Sequence, residues 1–160
     1  MDKLSVLFVC LGNICRSPTA HGVFQRLVLD AGLERRVVVD SAGTAAFHIG
    51  KAPDHRSAAA AAKRGYDLSR LKARQAVAED FHRFDYVLAM DNQNLQRLQA
   101  IQPADGAARL ALFLDFAPQQ PLREMPDPYY GGSRGFELVL DLVEQGAQGL
   151  LSEVQQRLHG

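Results

Sequence analysis

The chain has 160 residues, 47% of them hydrophobic and 22% charged, and its 18 Lys and Arg balance its 18 Asp and Glu. That length accommodates a single domain over residues 1–160 with a substantial core, and the balance excludes the basic footprint of a nucleic-acid binder or a membrane-surface protein. Cys10 and Cys15 are the only cysteines, too few for a disulfide framework or a zinc cluster, so reduced thiols and a cytoplasmic location are expected. The apolar run Leu4–Val9 is too short for a signal peptide, and no stretch reaches the length of a membrane span.

In chain order, Val6-Leu7-Phe8-Val9 reads as a buried strand, followed by a tight loop and a helix. Ser17 is placed to cap that helix and Pro18 to open it. Ala20, Val23, Phe24, Leu27 and Val28 then recur at helical spacing up to Asp30-Ala31-Gly32. Val37-Val38-Val39 predicts a second, fully buried strand ending at Asp40–Gly43. An irregular loop from Thr44 to Pro53 carries Phe47, His48 and Gly50. Asp54 caps a helix through Ala58–Ala62 that stops at Gly65. A basic loop, Ser69 to Gln75, leads to a short helix over Val77–His82. Tyr86–Met90 predicts the third strand, and Leu95, Leu98 and Ile101 mark a helix ending before Pro103. Leu110–Leu114 predicts the fourth strand and Asp115–Gly132 a loop. Phe136 through Leu158 forms a long amphipathic helix. Strands alternating with helices imply an α/β fold, a parallel sheet with helices on both faces and ligands beyond the carboxyl ends of the strands.

The loop Cys10-Leu11-Gly12-Asn13-Ile14-Cys15-Arg16-Ser17 carries the chemistry. A loop between a strand and a helix N-terminus turns backbone N–H groups and the positive end of the helix dipole toward one spot, which suits an anion. A cysteine there, beside an arginine, has its thiolate favoured, and the thiolate is the nucleophile. Arg16 offers a planar fork for two phosphate oxygens, Gly12 and Asn13 tolerate the left-handed backbone such a loop needs, and Ser17 can donate to the Cys10 sulfur. Cys10 at a strand end also fits a plain core position. Asp127, between two prolines in Met125-Pro126-Asp127-Pro128-Tyr129-Tyr130, reads either as a turn residue or as a general acid held over the pocket.

The nine residues Val9–Ser17 resemble the phosphate loop of the low-molecular-weight protein tyrosine phosphatases, and Asp127-Pro128-Tyr129-Tyr130 resembles the acid loop of that family. The resemblance extends over essentially the whole chain. It implies a flavodoxin-like, three-layer fold with an open four-stranded sheet in the order 2-1-3-4. It implies hydrolysis of phosphotyrosine and aryl phosphate esters through a phosphocysteine, with no metal and no cofactor. Cys10 would be the nucleophile and Asp127 the acid and then the base. Arg16 and the backbone of Leu11, Gly12, Asn13, Ile14, Cys15, Arg16 and Ser17 would bind the phosphate. Tyr129 and Tyr130 resemble the aromatic wall of the substrate pocket with Phe47 opposite, where a loop hydrophobe is the plainer alternative. Cys15 would be a redox partner of Cys10, against the plainer alternative of a buried core thiol. The partner implied is a phosphotyrosine protein, a tyrosine kinase among the candidates, with no nucleic acid and no membrane insertion, for a monomer or weak oligomer.

One departure from the family pattern bears on the site, beside some plainer readings. Leu71 stands where some family members carry a histidine that supports the phosphate loop, which leaves the support of Asn13 open. Arg70, Lys72 and Arg74 read as a solvated charge run, and His48 as a solvated loop residue. Three rival readings fit less well: an arsenate reductase, which would need cysteines beyond Cys15; a silent phosphotyrosine-binding module, disfavoured by Cys10, Arg16 and Asp127 together; and a sugar-phosphotransfer subunit, which would not need Asp127 or the tyrosine wall.

Overall fold

In the computed structural model, which describes residues 2–159, the first apolar run forms β1 (Leu4–Cys10). It pairs in parallel with β2 (Val37–Gly43), from Leu4 opposite Val37 to Cys10 opposite Gly43, and with β3 (Tyr86–Ala89), from Val6 to Val9. β4 (Arg109–Leu112) joins β3, giving a four-stranded parallel sheet in the order 2-1-3-4, in agreement with the family expectation. Parallel neighbours need long crossovers, and these contain α1 (Arg16–Asp30), α2 (His55–Lys63), the short α3 (Asp80–Arg83) and α4 (Asn92–Ile101). α5 (Ser133–His159) closes the chain.

The alternation of side chains along β1 divides the core in two. Val6, Phe8 and Cys10 share a cluster with residues of α1 and α5, in which Phe8 meets the Phe24 and Phe113 rings edge-on at 5.7 and 5.2 Å. Leu7 and Val9 belong to the opposite cluster with Phe81, Val87 and Leu98. A buried phenylalanine in the position of Phe8 is worth about 3–5 kcal/mol on truncation to alanine. The carboxyl ends of β1, β2 and β3 therefore come out together, Cys10 beside Gly43 and Val9 beside Ala89. Among the described residues no helix is long and apolar enough to cross a membrane.

Tertiary packing corrects several local expectations. α1 starts at Arg16 with Cys15 as its cap residue and no side-chain cap, so Ser17 and Pro18 are its second and third residues. Pro18 still sits in the first turn, where its missing N–H costs no helical bond. Val38 is 51% exposed, because β2 is an edge strand and one of its faces runs past the packed helices. α3 begins at Asp80, not Val77, since the Asp80 carboxylate accepts from the Val77 N–H at 2.8 Å and shapes the preceding turn. β3 ends at Ala89 and β4 at Leu112, after which Phe113–Phe116 tightens into a 3-10 turn that buries Phe113, Leu114 and Phe116.

Candidate active site

The loop after β1 is fastened to the protein by its carbonyl groups. Cys10, Leu11 and Ile14 accept from the backbone N–H groups of Thr44, Ala45 and Asp54 at 2.9, 3.0 and 2.8 Å. The Cys15 carbonyl accepts from both the Thr19 N–H and the Thr19 hydroxyl. While its oxygens are engaged in this way, none of the N–H groups from Leu11 to Cys15 donates to a backbone acceptor among the described residues. This is the arrangement of an anion nest at a helix N-terminus. Asn13 supplies the turn with φ 58°, the left-handed conformation that asparagine tolerates. Gly43 allows β2 to close on the loop, since a Cβ there would stand 2.8 Å from the Leu11 carbonyl oxygen.

Beneath the nest, hydrogen bonds lead to the sulfur. The Arg74 N–H donates to Asn13 Oδ1 at 3.0 Å, Asn13 Nδ2 donates to Ser17 Oγ at 2.8 Å, and Ser17 Oγ lies 3.0 Å from Cys10 Sγ. Ser17 Oγ also lies 3.3 Å from the Ala42 carbonyl. Facing a thiolate, the Ser17 hydroxyl can act only as donor. Linked bonds of this kind polarise one another. The helix-cap expectation for Ser17 failed because its hydroxyl is engaged in this tertiary chain.

Arg16 is 2% exposed and is anchored on one side. Its Nη1 donates to Asp91 Oδ2 at 2.7 Å and to the Met125 carbonyl at 3.0 Å. Its Nη2 lies 3.6 Å from Asp127 Oδ2. Burial works against the charge, but Cys10, Asp91 and Asp127 outweigh it and hold the guanidinium more firmly charged than a free arginine. Asp127 Oδ1 accepts from the Tyr129 N–H at 3.1 Å, which fixes the carboxyl within its own turn.

A cleft of about 310 Å³ opens over this floor. The structure brings Cys10, Leu11, Gly12, Ile14, Cys15, Arg16, Phe47, Asp127, Tyr129 and Tyr130 to its lining, while Asn13 and Ser17 lie beneath it, buried. Tyr129 and Tyr130 meet edge-on at 4.9 Å, and Phe47 and Tyr130 are 70% and 93% exposed, as rim residues would be. Cys15 is buried at the same lining, and burial pushes its thiol up to about 12, with Ser57 partly opposing the shift.

Three features escaped the sequence. Asp91 is both the cap of α4, accepting from the Asn94 N–H at 2.8 Å, and the anchor of Arg16; an acidic residue between a strand and a helix was its only signal. His48 is half-buried and lines the cleft, its ring edge-on to Phe47 at 6.3 Å, so it is not the solvated loop residue expected. Arg74 is likewise no part of a solvated run. It forks onto Asp80, which is 1% exposed, with two contacts of 3.1 Å, and reaches Asp40. A buried carboxylate requires such a partner. The support of Asn13, left open by Leu71, thus comes from the Arg74 backbone, while Leu71 packs against the main core.

The comparisons with known proteins agree with one another. The family model for the low molecular weight phosphotyrosine protein phosphatases matches residues 5–159. The phosphatase of that name from Schizosaccharomyces pombe is 46% identical over 144 residues, 89% of this chain and 92% of its own. The one from Homo sapiens is 44% identical over 137 residues, 84% of this chain and 85% of its own. The crystal structure of a protein tyrosine phosphatase from Entamoeba histolytica superposes with a TM-score of 0.92 at 37% identity, over 96% of this chain and 98% of that one.

Proposed function

Because this chain belongs to the low molecular weight phosphotyrosine protein phosphatase family, we propose that its phosphatase reaction runs through Cys10, Arg16 and Asp127 in a two-step displacement. In the first step the Cys10 sulfur attacks the phosphorus of a phosphotyrosine. The ester P–O bond breaks and the departing phenolate oxygen takes the proton of Asp127. In the second step Asp127, now a carboxylate, takes a proton from a water molecule as that water attacks the phosphocysteine. The P–S bond breaks and inorganic phosphate leaves. Ser17, donating to the sulfur, stabilises it both as nucleophile and as leaving group. The N–H groups of residues 11–17 and the Arg16 fork carry the charge that builds on the equatorial oxygens.

One observation supports this reading above the others. Cys10 Sγ, hydrogen-bonded by Ser17 at 3.0 Å, lines the same cleft as an Arg16 and an Asp127 whose charged atoms are 3.6 Å apart. Nucleophile, phosphate fork and acid thus share one opening. The lining of Ile14, Phe47, Tyr129 and Tyr130 suits a phenyl ring, each aromatic contact adding about 0.5–1.5 kcal/mol beyond area burial. The partner is accordingly a phosphotyrosine protein. Two free thiols suit a reducing compartment, which supports a cytoplasmic location as part of this reading. Release of phosphate from p-nitrophenyl phosphate and from a phosphotyrosine peptide tests the assignment. The wild type should hydrolyse both and Cys10→Ser neither, while Cys10→Ser still binds inorganic phosphate.

A further inference from the structure

Asp80 is a buried carboxylate that the two-step displacement does not use. It stands at the start of α3, 1% exposed and outside the lining of the cleft. A carboxylate so buried needs donors on its oxygens. Arg74 Nη1 and Nη2 supply two at 3.1 Å each, and the Val77 N–H supplies a third at 2.8 Å. The other edge of the same guanidinium faces Asp40 of β2, with Nε at 3.2 Å and Nη2 at 3.1 Å from Oδ2. Arg74 is therefore gripped between α3 and β2.

The main chain of Arg74 reaches the phosphate loop. Its carbonyl accepts from the Gly43 N–H at 2.8 Å, and its N–H is the one donor to Asn13 Oδ1 among the described residues, at 3.0 Å. A backbone N–H can only donate, so it fixes which end of the asparagine amide faces it. Asn13 Nδ2 is then left to donate to Ser17 Oγ at 2.8 Å, and the Ser17 proton is left for the Cys10 sulfur at 3.0 Å. Were the amide to turn over, Oδ1 would face Ser17 and draw that proton away from the sulfur. The backbone of the loop is fastened separately, through the Thr44, Ala45 and Asp54 N–H groups.

Resting on the phosphatase reading, we infer that Asp80 and Asp40 are positioning residues for the nucleophile. By gripping Arg74 they hold its N–H on Asn13 Oδ1, which keeps the amide from turning over and reserves the Ser17 proton for Cys10. Two carboxylates outside the cleft thus act on a reaction they do not touch.

The test measures kcat on p-nitrophenyl phosphate and the inhibition constant of inorganic phosphate. The variants are Asp80→Asn and Asp40→Asn, each alone and combined with Asn13→Gly. Asp80→Asn retains an acceptor for the Val77 N–H and loses the charged fork, while Asn13→Gly keeps the left-handed turn and removes the amide. Asp80→Asn should lower kcat about two- to tenfold, the size of one hydrogen bond, and leave the inhibition constant within about twofold. Asp40→Asn, at a side chain 40% exposed, should act in the same direction by a smaller factor, and it carries the test if Asp80→Asn fails to fold. In the Asn13→Gly background neither substitution should lower kcat further. Full kcat in the folded single variants, a loss undiminished by Asn13→Gly, or an inhibition constant that rises in step with the fall in kcat would overturn the positioning role alone. A wild type inert towards p-nitrophenyl phosphate would overturn the phosphatase mechanism and the positioning role with it.

Discussion

Asp91 holds Arg16 by one corner: its Oδ2 accepts from Arg16 Nη1 at 2.7 Å, while its Oδ1 caps α4 through the Asn94 N–H at 2.8 Å. The Met125 carbonyl accepts from the same Nη1, so both hydrogen bonds of the guanidinium run through one nitrogen. The Nη2 side of the fork is directed at the cleft and Asp127. The carboxylate thus couples the start of one helix to the orientation of the phosphate fork on another.

Asp91→Asn should separate the two duties. Asparagine caps helices as well as aspartate does, so α4 should persist. The loss of a charge-assisted bond of about 1.5–3 kcal/mol should lower kcat/KM by roughly tenfold to a hundredfold. Steady-state kinetics on an aryl phosphate, with circular dichroism as the folding control, decides the matter. An Asp91→Asn enzyme as fast as the wild type would show that Arg16 is held well enough by Met125 alone.

Asp127→Asn should slow aryl phosphates with poor leaving groups far more than those with good ones, because only the former need the proton. The general-acid contribution of about 10²–10⁴-fold should be visible at the poor end of the series. A uniform slowing along the series would make Asp127 a positioning residue.

How far the sequence reached can be judged at these same residues. Cys10, Arg16 and the turn at Asn13 are neighbours along the chain, and a strand-loop-helix pattern with glycine and asparagine between is a local signal. The amphipathic stripe of α5 and the cap at Asp54 were legible for the same reason. Asp91 and Arg74 were not, because they meet Arg16 and Asn13 across 75 and 61 residues of chain, and nothing local records such a meeting. Ser17 illustrates the competition between levels. Its local preference was to cap a helix, but the tertiary chain from Asn13 to Cys10 took its hydroxyl. Val38 was misplaced because a run of valines does not reveal whether its strand lies at the centre or the edge of a sheet.

Cys15 makes a prediction about oxidation. It shares the cleft lining with Cys10, and burial pushes its thiol up to about 12. If it captures an oxidised Cys10, the attacking species is its thiolate, which is scarce at neutral pH. After a pulse of peroxide, the Cys10–Cys15 disulfide should form about tenfold faster for each unit of pH between roughly 7 and 9. Alkylation and peptide mapping of quenched samples would follow it. In Cys15→Ser, thiol should rescue much less activity after the same exposure. Equal rescue of the wild type and Cys15→Ser would return Cys15 to a packing role.

His21 predicts an acid sensitivity of the fold. Burial holds its imidazole below the ordinary histidine range, with Asp40 partly opposing, and its Nδ1 lies 2.9 Å from Ser41 Oγ. Between the lowered folded value and the unfolded value of about 6.5, the unfolded chain binds a proton that the folded one does not, so stability falls as pH drops below about 6.5. His21→Gln removes that titration. Its thermal midpoint should fall less than that of the wild type between about pH 7.5 and 5.5. Parallel curves for the two proteins would mean that another group sets the acid limb.

The phosphocysteine itself gives the most direct test. Enzyme mixed with an excess of p-nitrophenyl phosphate, quenched in acid within the first turnover and digested, should yield a single phosphorylated peptide by mass spectrometry, with the phosphoryl group on Cys10. Asp127→Asn should change the amount trapped and leave its position unaltered, because the carboxyl serves both formation and breakdown of the intermediate. Steady hydrolysis with no adduct on Cys10, or with the phosphoryl group on another residue, would contradict the mechanism.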